Sequence, residues 1–174
     1  WARGEKIVWN CIECTRINSD TAKATPAQVR AEVWMALIHG SRGLIYFVHE
    51  WKPRFSEAAL LEDPAMLAAV TAINRQIHEL APVLNSAPIE GALGVVSSRP
   101  DVPVAAMARR HGGATYVFAV GMRDAPAEAT FALAAPRSGR RRATVIGEGR
   151  QVAVDNGSFA DSFAPYGVHL YQVD

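Results

Sequence analysis

A chain of 174 residues, 49% hydrophobic and 20% charged, with a net charge of +1, has room for one medium core or two small ones and enough apolar content to fill them. So even a charge balance supplies no field to gather nucleic acid or anionic lipid, and no run approaches the roughly 18 consecutive apolar residues of a membrane helix. Nucleic acid and membrane are therefore set aside as partners, and the short basic run Arg140, Arg141, Arg142 is read as a solvated hairpin loop.

The opening WARGEKIVWN shows neither an initiator Met nor a signal-peptide pattern, states no compartment, and reads as the interior of a longer polypeptide. Residues 5–14 form the first expected strand, largely apolar and without clean alternation. Its NCIECT stretch holds both cysteines at Cys-x-x-Cys spacing. Strand positions three apart point to opposite faces, so Cys11 and Cys14 are expected as buried free thiols, not as a redox or zinc pair. After the polar loop TRINSDTAKA a helix begins: Thr25 is a good N-cap, Pro26 suits the first helical position, and Gln28 completes a Thr-x-x-Gln capping box. Val29, Val33, Ala36 and Leu37 form its apolar stripe, Trp34 and Met35 are read as packing residues, and Gly40 ends it.

The stretch SRGLIYFVHEW follows, with five apolar residues, Leu44 to Val48, between a glycine and His49, Glu50 and Trp51. Such a run fits a parallel strand covered on both faces. A second helix is expected from Asp63-Pro64, with Met66, Val70, Ile73, Ile77 and Leu80 in four-three spacing and Pro82 as its end. Strand, helix, strand, helix is βαβ grammar, and such folds place ligands just beyond the C-terminal ends of their strands. Glu13 to Arg16 occupy that position after the first strand, and His49, Glu50 and Trp51 after the second.

Beyond Pro88 the pattern changes to short runs with partial period-two alternation: GALGVVSS, VAAMARR, ATYVFAVGM, EATFALAA, RATVIGEG, RQVAVDN and VHLYQV. RHGGAT is a hairpin signal, and DAPAE and DNGS are turns, so this half is expected to be an antiparallel sandwich or small barrel. The boundary falls near residues 83–90, and there is no internal repeat. Two parallel strands and two amphipathic helices leave naked strand edges and an uncovered face. The first half is thus expected to pair with further strands, in a longer polypeptide or by self-association into a homo-oligomer.

The segment RAEVWMALIHGSRGLIYFVHEW resembles the end of a glycoside hydrolase (β/α)₈ barrel, where a helix with a W-x-A-L-x-H-G-x-R-G pattern leads into the eighth strand. FADSFAPYGVHLYQV is similar to the final strands of the β-sandwich that follows such barrels. The resemblance implies α/β followed by all-β: a partial (β/α)₈ barrel of two βα units over residues 1–86, then an antiparallel β-sandwich over 87–174, in a retaining hydrolase of glycosidic bonds. It also implies that Glu13, at the end of the seventh strand in VWNCIECT, is the nucleophile. The acid/base carboxylate of such enzymes lies on the fourth strand, outside this sequence, so the chain holds half of the catalytic pair and a missing barrel half becomes a required partner. The implied partner is a carbohydrate substrate, and no cofactor is called for.

Each candidate has a plainer reading. Glu13 reads as well as a structural carboxylate, paired with Arg16 or with an arginine on the next element. Trp51 is a sugar-stacking platform or a cap on the core, and His49 a donor to a substrate hydroxyl or a satisfied buried histidine. Glu50 is expected at the surface, while Arg16 and Asn18 reach the ligand end in RINSD. Phe159, Phe163, Tyr166 and Tyr171 suit core packing better than a carbohydrate-binding surface. No Gly-rich phosphate loop and no Gly-x-Ser-x-Gly elbow appears, and His39, His49, His78, His111 and His169 lack metal-ligand spacing. The rival reading is a non-catalytic, self-associating β-sandwich module for assembly or polysaccharide binding, or an inactive truncated remnant.

Overall fold

A computed structural model describes residues 6–89, 91, 93–134 and 139–173. The chain divides into two units, Trp1–His78 and Glu79–Asp174, the division falling inside the second helix. Residue 5 of the expected first strand lies outside the described residues, as do residue 90 at the expected boundary and residue 92 in the run after it.

In the first unit, β1 (Trp9–Glu13) and β2 (Gly43–Phe47) pair in parallel, with Trp9 opposite Gly43 and Glu13 opposite Phe47. The connecting helix α1 (Pro26–Ile38) carries the capping box in full: the Gln28 N–H donates to Thr25 Oγ1 at 3.3 Å and the Thr25 N–H to Gln28 Oε1 at 2.8 Å. Its end is a Schellman motif, with Ser41 N–H on Ala36 O at 2.9 Å, Gly40 N–H on Leu37 O at 3.0 Å, and Gly40 at φ 92° where a side chain would be strained. α2 (Pro64–Leu84) follows a single 3₁₀ turn, Ala59–Glu62, and is capped by Asp63, whose Oδ1 accepts from Ala65 and Met66 N–H at 3.1 Å each. Lys23 also pairs with Asp63, holding its carboxyl below the usual aspartate range. α2 does not stop at Pro82 as expected but runs through it to Leu84. Proline there removes only one bond of the final turn, and the turn still closes through Asn85 N–H on Ala81 O at 3.0 Å.

One face of the strand pair is buried. Ile12 and Cys14 pack with Val29, Val33 and Ala36 of α1 and Met66, Val70 and Ile73 of α2, and Leu44, Tyr46 and Val48 pack against that cluster. The alternate positions Trp9, Cys11, Ile45 and Phe47 form the other face, where Trp9 is 60% and Ile45 51% exposed. The run Leu44 to Val48 suits a strand covered on both faces, but among the described residues only the helix side is covered, which leaves the open face expected of two βα units alone. The Trp9 indole lies over Gly43, where a Cβ would stand 2.5 Å from its ring carbons.

The second unit is one antiparallel array in the order β3-β6-β9-β8-β7-β10-β5-β4. The strands are β3 (Leu93–Ser97), β4 (Val104–His111), β5 (Ala114–Gly121), β6 (Ala127–Leu133), β7 (Arg140–Val145), β8 (Arg150–Asp155), β9 (Ser158–Phe163) and β10 (Val168–Val173). Gly112 and Gly113, at φ 58° and 85°, turn β4 into β5, and Asn156 and Gly157, at 47° and 80°, turn β8 into β9, as two-residue hairpins of this hand require. Arg140, Arg141 and Arg142 are not a loop: they begin β7 and pair with Asp155, Val154 and Ala153.

The array is folded over, not flat. β9 and β10 stand three strands apart in the ladder, about 14 Å in a flat sheet, yet the Phe159 and Tyr171 rings are 5.0 Å apart. Phe131 on β6 likewise meets Tyr171 at 5.7 Å, so residues of both halves share one sandwich core with Phe163, Val117 and Val154. A polar network closes that core. Arg150 binds Asp161 through two hydrogen bonds of 3.0 and 2.7 Å and Glu148 through one of 2.8 Å, and the Tyr171 hydroxyl donates to Asp161 at 2.9 Å. Burial raises the Tyr171 phenol, and the Asp161 charge raises it further. Burial works against the Asp161 carboxylate, but Arg150 and Tyr171 hold it below the usual range. Phe131 is fully buried, and Phe131→Ala is expected to lower stability by about 3–5 kcal/mol in urea unfolding, through lost contacts and the cavity left.

Candidate functional site

Beyond their last paired residues, β1 and β2 stay tied together. Cys14 Sγ donates to Phe47 O at 3.0 Å, Thr15 Oγ1 to His49 O at 2.6 Å, and Trp51 N–H to Ile17 O at 2.7 Å. Arg16 Nη2 binds Glu50 Oε1 at 2.9 Å. Glu50, expected at the surface, is only 9% exposed, because its backbone bridges both Ile17 and Ser56 and carries the side chain inward onto Arg16. The hydrogen bond from Arg16 holds the Glu50 carboxyl below the usual glutamate range. Ile17 sits at φ 36°, a left-handed conformation that costs a β-branched residue on the order of 1–3 kcal/mol and that the bonds to Trp51 and Glu50 hold in place.

The open face of the strand pair leads directly to this rim. Glu13 is exposed at the end of β1, beside Phe47 in register. The Phe47 ring meets Trp51 at 5.7 Å with 27° between planes and His49 at 5.7 Å, and His49 meets Trp51 at 6.1 Å. Glu13, His49 and Trp51 thus gather along one side through Phe47. Arg16 is committed to Glu50, which removes it as one of the structural partners expected for Glu13, and Asn18 is exposed on the loop after β1.

One member went unread in the sequence. Phe55 is 54% exposed and packs on Trp51 at 6.0 Å and on His49 at 6.4 Å. The signal was the return of an aromatic four residues after Trp51 across Lys52-Pro53, which reads as loop until Glu50 and Ser56 are seen to pair.

Cys14 is buried, and burial, with the neighbouring Cys11, pushes its thiol up to about 11, so it is inert at neutral pH. Cys11 is exposed on the opposite face, not buried as expected, because no described residue covers that face there. Glu32 on α1 is raised by burial and then by the charge of Glu13. Among the described residues no three His, Cys, Asp or Glu side chains gather as a metal site, and no helix is long and apolar enough to cross a membrane.

No protein-family model matches the chain, and no curated protein matches it by sequence. Solved structures do. A cyclomaltodextrinase superimposes with a TM-score of 0.63 at 12% identity, over 97% of this chain and 30% of its own. The α-amylase of Geobacillus thermoleovorans, solved with acarbose, gives 0.57 at 11% identity over 97% of this chain and 39% of its own. A glycoside hydrolase family 30 subfamily 8 xylanase from Clostridium acetobutylicum gives 0.53 at 12% identity, over 99% and 44%. The fold is one that glycoside hydrolases carry. Its eight-stranded antiparallel sheet is similar to the C-terminal domain of amylases, and the chain spans less than half the length of each of these neighbours.

The depressed Glu50 carboxyl sets the sign of an acid effect. The Arg16–Glu50 pair contributes its full stability above the ordinary glutamate value, near pH 4.3, and loses it as pH falls through the lower folded value. The Trp51 indole N–H resonance is expected to titrate only below about pH 4.3, and Glu50→Gln is expected to remove that step.

Proposed function

We propose that this chain is part of a retaining glycoside hydrolase. Residues 1–86 supply the last two βα units of a (β/α)₈ barrel, and residues 87–174 the β-sandwich domain that follows it. The observation that carries this reading is Glu13: a carboxylate at the C-terminal end of a parallel strand, beside an aromatic ring that leads to Trp51 and His49. The exposed apolar face below it supports the same reading, since Trp9 and Ile45 stand where the interior of a closed barrel would bury them.

In this mechanism a Glu13 carboxylate oxygen attacks the anomeric carbon. The bond to the leaving oxygen breaks as a second carboxylic acid, roughly 5 Å away and outside this chain, gives that oxygen its proton. The glycosyl ester on Glu13 is then hydrolysed by a water whose proton passes to the same partner. Trp51 offers its ring to the C–H face of the bound sugar, His49 and Asn18 reach its hydroxyls, and Arg16 acts through Glu50 by holding the loop in place. Carboxylates suffice for these steps, and the substrate is a carbohydrate, the class that maltotriose, maltose and acarbose represent in the neighbouring structures.

The test begins with native and denatured masses of the purified protein. A longer polypeptide in the particle supplies the rest of the barrel, and Glu13→Gln is then expected to lower glycosidase turnover by several orders of magnitude. Retained activity overturns the nucleophile. A particle built only of the 18.8 kDa chain in two or more copies replaces the enzyme by a self-associating module or remnant.

A further inference from the structure

The loop after β2 has the construction of a preorganised binding element. Glu50 and Ser56 exchange backbone hydrogen bonds of 3.0 and 2.9 Å, closing residues 50–56 into a small hairpin. Trp51 and Phe55 are the next residues inward on its two arms, so their rings stand across from one another, 6.0 Å apart. Three side-chain ties hold the hairpin: Arg16 to Glu50 at 2.9 Å, Ser56 Oγ to Glu62 at 2.8 Å, and Arg54 to Glu62 at 3.0 Å. Yet the two rings are left 48% and 54% exposed.

Large aromatic side chains on a rigid loop ordinarily bury. Here both are held half in water, four and eight residues past the end of β2, beyond the strand face where Trp9 and Ile45 await cover. Their neighbours are polar: His49 lies against both rings, and Glu13 is next to Phe47, on which Trp51 stacks. A flat apolar surface mixed with hydrogen-bonding groups suits a pyranose, which offers a C–H face and a rim of hydroxyls. Two such rings at different tilts, 48° between planes, fit two consecutive units of a turning chain better than one.

We propose that Trp51 and Phe55 form a two-ring platform for consecutive sugar units, so that the substrate is an oligosaccharide or polysaccharide and Phe55 sets the preference for chain length. This rests on the hydrolase reading above. Because the hairpin is already closed, little ordering entropy is spent on binding, and loss of one ring costs mainly its own stacking.

The test uses Phe55→Ala, Phe55→Leu and Phe55→Tyr in the complete polypeptide that carries these residues. Substrates are aryl monoglycosides and the matching tetrasaccharides of glucose and xylose, with mobility read in gels containing soluble starch or xylan. Phe55→Ala is expected to lower kcat/KM on the tetrasaccharide roughly three- to tenfold, to cost the monoglycoside clearly less, and to reduce retardation in the gel. Phe55→Tyr should restore the chain-length preference and Phe55→Leu should not, which separates a stacking ring from mere bulk. An equal loss on both substrates, or no loss on the tetrasaccharide, overturns the platform and leaves Glu13 standing. Absence of hydrolysis together with absence of retardation overturns both.

Discussion

The candidate site depends on one parallel pairing and its continuation past the ends of the strands. β1 and β2 are five-residue strands, and a two-stranded parallel ladder of that length has little stability of its own. Two features reinforce it. The helices α1 and α2 bury Ile12, Cys14 and Leu44 on one side, and a string of bonds from Thr15 to His49, Ile17 to Trp51 and Arg16 to Glu50 sews the outgoing loops together. The loops therefore leave the strands as one rigid rim, and the strained φ of Ile17 sits in the middle of that seam. Glu13 and the aromatic residues owe their common side to this seam, not to any direct bond between them.

The same pairing produces the main asymmetry of the first unit. Helices cover one face, so alternation sends Trp9, Cys11, Ile45 and Phe47 to the other, where Trp9, Cys11 and Ile45 stay exposed among the described residues. A soluble monomer rarely leaves such a face in water. In the second unit Phe131, Phe159, Phe163 and Tyr171 fill the sandwich interior, and in one polar network Arg150 and Tyr171 meet the Asp161 carboxylate that the fold brings inside. The charge that network buries is tolerated because each partner has its hydrogen bonds made; removing one alone would strand the others.

Local signals were legible wherever a few consecutive residues settle the matter. The Thr25–Gln28 capping box, the Gly40 stop, the α1 and α2 stripes and the Gly112-Gly113 and Asn156-Gly157 hairpins all depend on bonds spanning at most five residues. The errors lie where the outcome rests on partners far along the chain. Pro82 failed to end α2 because it falls in the last turn, where little remains to break. Arg140 to Arg142 looked like a solvated loop until Asp155 to Ala153 appeared opposite them. β9 was legible only through the resemblance of FADSFAPYGVHLYQV to final sandwich strands and not through alternation, since SFADSF places a charged Asp161 on the core side, where Arg150 and Tyr171 meet it.

By itself the sequence determined the chemistry available at the strand ends: a carboxylate at 13, and His49 and Trp51 after an apolar run, on a βαβ frame that puts them at the C-terminal ends of its strands. Only the tertiary structure decided which of them lie together. Burial of Glu50 is a matter of its bridges to Ile17 and Ser56, and it is this burial that takes Arg16 away from Glu13. The pairing of Trp51 with Phe55 likewise exists only once residues 50 and 56 close. Residue identity and spacing set what each group can do, whereas proximity between groups dozens of positions apart arises from packing and register, which no local stretch encodes.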